Sequence, residues 1–104
     1  MIRLTEDLWI GDSGDEYNVG TWNGVGLGTE LKIGAVLNVA QDLRGATGWP
    51  DVEYAQVGLI DGPGNTLAAY HAAVLTLAML LKRVRAAVVC CHSGSRSLAV
   101  AIMY

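Results

Sequence analysis

The feature that most limits what this chain can fold into is a pair of short apolar runs. Ala35-Val36-Leu37-Asn38-Val39-Ala40 and Ala86-Ala87-Val88-Val89-Cys90 are separated by residues 41–85. Each run has the length of a strand and is nearly free of polar residues, the pattern of strands buried on both faces and hence of parallel pairing. Residues 52–59 read as a further strand, ending at Ile60-Asp61-Gly62-Pro63-Gly64-Asn65. Two Gly and a Pro exclude regular structure in that loop. Asn65 or Thr66 then caps a helix running to about Arg83, with Leu67, Tyr70, Val74, Leu77 and Leu81 at helical spacing. Lys82, Arg83 and Arg85 sit favourably at its negative end. Leu8-Trp9-Ile10 reads as a short strand stopped by Gly11-Asp12, and a second helix starts near Arg96. Residues 13–28 and 42–51 read as loops. Strand, helix, strand, turn, helix predicts right-handed crossovers: an α/β fold with a mostly parallel central sheet flanked by helices.

Composition narrows the function classes. The 104 residues suffice for a single domain spanning 1–104, and 52% hydrophobic with 16% charged residues describes a globular chain. A net charge of −3 with scattered basic residues argues against nucleic-acid binding. The first seven residues are too charged for a secretory leader, and residues 72–81 form too short an apolar stretch to cross a membrane. The two cysteines are adjacent, so a disulfide between them would be strained and close no useful loop; reduced thiols in the cytoplasm are expected. The sequence stops at Tyr104, about two turns into an apolar helix, which reads as a C-terminal truncation. Apolar surface left bare there favours association into a homo-oligomer.

Chemistry concentrates after the last strand. That strand delivers Cys90 and Cys91 to its C-terminal end, the edge where open α/β sheets bind ligands. Ser93-Gly94-Ser95 turns the chain into a helix whose first amides are unpaired and carry partial positive charge. Amides of His92, Ser93, Gly94 and Ser95 can ring a phosphate- or sulfate-like anion, and Arg96 can grip two of its oxygens as a fork. The same field favours a thiolate nucleophile. Ser97 is placed to hydrogen-bond a departing thiolate.

Cys90-x5-Arg96-Ser97 resembles the C-x5-R-S signature of the cysteine phosphatases. The dual-specificity members of the protein tyrosine phosphatase superfamily are similar in more than this loop. Leu8-Trp9-Ile10-Gly11, Val36-Leu37-Asn38-Val39-Ala40 and Asp61 in a Gly/Pro loop follow in the right order. The resemblance implies a phosphatase-like fold and a phosphomonoester hydrolase working through a cysteinyl-phosphate intermediate. It gives Asp61 the role of general acid and then general base. It implies no metal and no cofactor, since Arg96 and the amides stabilise the charge. The implied substrate is a phosphorylated protein or a small phosphate ester.

The loop departs from the family pattern, His-Cys-x-x-Gly-x-x-Arg, in either register. Counted from Cys90, Arg96 is correctly spaced but Gly94 is one position late and Val89 replaces His. Counted from Cys91, Gly94 is correct and Cys90 replaces His, but Arg96 is one position early. The second register, Cys91-x4-Arg96, is similar to the loop of rhodanese-type sulfurtransferases, whose smaller pocket suits a sulfane sulfur carried as a Cys91 persulfide. A distorted loop that holds phosphate without turning it over is a third reading. Both cysteines therefore stand as candidate nucleophiles.

Plainer readings exist for each residue. Asp61 is also a common turn former before Gly-Pro-Gly. His71 lies on an apolar helix and reads as a packed or interfacial residue, while His92 contributes its backbone amide. Cys90, Cys91 and His92 make a poor zinc site, because three consecutive ligands splay apart and no second cluster exists. Gly24-Val25-Gly26-Leu27-Gly28 lacks the strand and helix that a nucleotide loop requires.

Overall fold

A computed structural model of the chain describes residues 2–12, 33–41, 52–60, 62–91 and 95–104. The expectations for residues 13–28 and 42–51 lie outside these. The described residues form a five-stranded mixed sheet with two helices, so the α/β expectation holds. In chain order the elements are β1 (Ile2–Arg3), β2 (Leu8–Gly11), β3 (Ala35–Ala40), β4 (Glu53–Leu59), α1 (Leu67–Arg83), β5 (Ala87–Cys90) and α2 (Ser95–Met103). The sheet order is β1-β2-β5-β3-β4. β1 pairs antiparallel with β2, while β2–β5, β5–β3 and β3–β4 are parallel. The chain thus leaves β4 at one edge, passes through α1 over β3, and returns as β5 in the middle.

Both described helices pack on one face of the sheet and touch each other. Ala73, Leu77 and Leu80 on α1, and Val100 and Ala101 on α2, meet Leu8, Ile10, Leu37, Val39, Leu59 and Val89 from the strands. The opposite face carries Ile33, Val36, Val88 and Cys90, with Trp9, Val52 and Tyr54 packed against them. All six residues of β3 and all four of β5 are buried. Burial on both faces is why these two runs show no polar alternation. Asn38 is the exception inside β3. The β3–β4 register shifts between Asn38 and Ala40, and the Ala40 N–H there donates to Asn38 Oδ1 at 2.9 Å. A buried polar side chain so bonded avoids the cost of an unmet amide.

Thr66, rather than Asn65, caps α1: its Oγ1 accepts the Ala69 N–H at 3.1 Å. Lys82 and Arg83 fall in the last turn, as the charge pattern predicts; Arg85 lies beyond it. Arg83 also reaches Glu53 at the start of β4, at 2.8 Å. Both partners are well exposed, so the pair contributes at most ~1 kcal/mol. No helix among the described residues is long and apolar enough to cross a membrane.

Candidate anion site at the end of β5

Strand geometry separates the two cysteines. Successive side chains on a strand point to opposite faces, so Ala87, Val89 and Cys91 face the helices while Val88 and Cys90 face away. Cys91 belongs to the helix-side core and Cys90 to the other. Both thiols are reduced and completely buried.

The helix-side thiol meets the start of α2. The Ser97 N–H, in the first turn of α2, donates to Cys91 Sγ at 3.5 Å. The Cys91 thiol in turn lies 3.5 Å from Ser97 Oγ, positioned to donate to it. Ser97 Oγ is also 3.5 Å from the Gly11 carbonyl, a loose contact by the standard of hydroxyl bonds. The Cys91 N–H donates to that same carbonyl at 3.4 Å. The end of β2, the end of β5 and the first turn of α2 thus converge on one sulfur. Removing the proton from that sulfur would leave it a stronger acceptor for the Ser97 amide and hydroxyl.

Arg96 is 5% exposed, unusual burial for an arginine. Its Nη1 donates to the Leu59 carbonyl at 2.8 Å, across 37 positions of sequence. The same carbonyl accepts the Gln41 N–H at 3.0 Å. Arg96 therefore ties α2 to the last residue of β4, two positions before Asp61. The C-terminal ends of β2, β4 and β5 all contribute to the region, the edge at which parallel sheets present ligand sites.

Of the residues singled out from sequence, the structure brings Cys91 and Ser97 together. It places Arg96 beside them in the chain with its guanidinium on β4. Ser95 opens α2 and is exposed. Cys90 sits on the far face, with Asn38 as its Cα partner across β3. Asp61, His92, Ser93 and Gly94 lie outside the described residues. Motif reading missed the carbonyls of Gly11 and Leu59, because a backbone acceptor leaves no mark on residue type. Among the described residues no group of three or more His, Cys, Asp or Glu converges as a metal site.

No protein-family model matches the chain, and no curated protein matches it.

Proposed function

We propose that this chain is a cysteine-dependent phosphomonoester hydrolase with Cys91 as its nucleophile. The observation that carries the reading is the Cys91 sulfur at the N-terminus of α2, accepting the Ser97 amide at 3.5 Å. A thiolate at a helix N-terminus beside an arginine is an activated nucleophile, and the same amides suit an oxyanion. On this reading the sheet and its helix-covered face form a phosphatase-like, mostly parallel framework.

In the reaction, the Cys91 thiolate attacks phosphorus; the S–P bond forms as the bond to the leaving oxygen breaks. Asp61 gives its proton to that oxygen. Water then attacks the cysteinyl phosphate, losing a proton to Asp61, and the thiolate departs onto the Ser97 hydroxyl and amide. A guanidinium has five N–H donors. The bond to Leu59 uses Nη1 of Arg96, and on this reading the guanidinium charge stabilises the phosphoryl oxygens as their charge grows. Ser95 and the amides of residues 92–94 complete the cradle. Complete burial of Cys91 means that access must open during turnover. Small phosphate esters and extended phosphorylated side chains are the substrates that such a site admits. Reduced thiols suit a cytoplasmic setting.

The assignment of Cys91 to the helix face also favours a second reading. Four residues separate Cys91 from Arg96, the count of a sulfurtransferase loop. There, thiosulfate would pass its sulfane sulfur to Cys91 with loss of sulfite, and cyanide would carry it away as thiocyanate.

The full chain is assayed with an aryl phosphate, with vanadate as inhibitor, and in parallel with thiosulfate and cyanide. Vanadate-sensitive phosphate release that falls in Asp61→Asn supports the hydrolase. Thiocyanate formation unaffected by Asp61→Asn, with no phosphate release, establishes the sulfurtransferase instead. Phosphate binding with neither activity leaves a binding module.

A further inference from the structure

The helix α1 is apolar on two sides, and the sheet covers one of them. Ala73, Leu77 and Leu80 form its buried seam. Away from the sheet, Ala68, Ala72, Leu75 and Met79 form a second seam, spaced four, three and four positions apart. All four are exposed, Leu75 to 69% and Met79 to 48%. Alternate spacings of four and three are those by which one helix seats against another. A surface helix ordinarily carries charge on this side. Here no Asp, Glu, Lys or Arg stands between Thr66 and Lys82. The Thr76 hydroxyl turns back on the helix, donating to the Ala72 carbonyl at 2.7 Å. Beside the seam, His71, Val74 and Leu75 line a hollow of about 280 Å³, and of the three only His71 is polar. Small-molecule sites occupy roughly 300–1,000 Å³ and converge several polar groups, so this hollow suits an inserted apolar side chain better.

The order of sizes along the seam identifies the occupant. Its N-terminal half is small, Ala68 and Ala72, and its C-terminal half is large, Leu75 and Met79. When the helix is turned end for end against a copy of itself, each large half meets a small one. Leu75 then faces Ala72, and Met79 faces Ala68. A two-fold contact requires a patch that is complementary to itself in this way. Charge agrees with the same arrangement. A patch of one sign repels its copy, and this seam carries no formal charge. Antiparallel packing also sets the two Lys82 side chains roughly 25 Å apart along the helix axis, well beyond the screening length of ~8 Å at physiological salt. Parallel packing would bring them to roughly the 8–10 Å of a helix contact. A seam about 17 Å long on a helix about 10 Å across makes a contact smaller than the ~1,200 Å² of a standard interface. The pairing is therefore weak and concentration-dependent.

We propose that the outer face of α1 is a self-association surface, on which two copies of the chain pack α1 against α1, antiparallel, about a two-fold axis between Ala72 and Leu75. The surface is separate from the start of α2 and independent of the reaction proposed for Cys91.

Sedimentation equilibrium of the full chain from roughly 1 μM to 1 mM should show the mass double within that range. Leu75→Glu should weaken the pairing at least about a hundredfold, because it buries two unpaired charges at the contact. Its helix content by circular dichroism should not change, since Leu75 is exposed in the single chain. Ile102→Glu, at a position of α2 that is 72% exposed, should leave the pairing within about twofold. Met79→Ala leaves a gap and Ala68→Met makes a clash, so each should weaken the pairing about tenfold. Combined in one chain they exchange the sizes of a facing pair and should restore it to within about threefold. A chain that stays monomeric at every concentration, or a dimer that survives Leu75→Glu, would overturn the proposal. Loss in Leu75→Glu without recovery in the combined variant would overturn the antiparallel pairing. A monomer that binds phosphatidylcholine vesicles through Leu75 would give the face to a lipid surface and overturn it as well.

Discussion

The two faces of the sheet hold chemically identical side chains in different settings. Cys90 and Cys91 are covalent neighbours, both wholly buried, yet one packs among Ile33, Val36 and Val88 and the other meets the first turn of α2. Nothing in their residue type separates them; the two-residue period of β5 does. The helix-side face couples burial to a polar chain running Ser97 amide, sulfur, Ser97 hydroxyl, Gly11 carbonyl. A nucleophile needs that coupling, because burial alone raises the energy of a thiolate while helix amides lower it.

Substitution of each cysteine tests the comparison most severely. Cys91→Ser should reduce aryl phosphate turnover by at least about a thousandfold, as loss of a nucleophile does. Cys90→Ala should leave turnover within about twofold, because its side chain packs on the face of the sheet away from α2. Steady-state rates on both variants check this, and the reverse order would break the assignment. Arg96→Ala should cost about a hundredfold in turnover, the usual loss when a transition-state donor is removed. It should also lower the urea midpoint, since the Leu59 carbonyl loses a charged partner.

How much of this was legible in the sequence varies with the range of the interaction. The runs that became β3 and β5 announced themselves because burial on both faces removes polar residues altogether. The helix α1 was legible from its spacing and terminal charges. β1 was not, since two exposed residues carry no period. The choice between Thr66 and Asn65 as cap turned on where Asn65 points, and it points back to Ile60. Counting along the motif does not choose between the two cysteines, because it ignores which face a strand presents. Once α2 is known to pack on the side of Val89, parity puts Cys91, not Cys90, on the face that meets its first turn. The Arg96–Leu59 bond had no local signature at all, being made across the sheet.

Smaller effects sharpen the same comparison. Val88 and Val89 are both completely buried on opposite faces. Val88→Ala and Val89→Ala should each cost about 1.5–3 kcal/mol of stability by lost burial and the cavity left behind. Denaturant titration reads both, and a near-neutral Val88→Ala would mean that the second face is packed less tightly than the first. Thr66→Ala should cost about 1 kcal/mol through the lost cap and leave turnover unchanged, since the cap serves α1 and not the sulfur.

The central claim is that the sulfur at the start of α2 forms the covalent intermediate. It is tested by acid-quenching Cys90→Ala and Cys91→Ala within the first turnover of an aryl phosphate and measuring their intact masses. The account predicts one phosphoryl adduct on Cys90→Ala and none on Cys91→Ala. A phosphoryl adduct that persists on Cys91→Ala would contradict it.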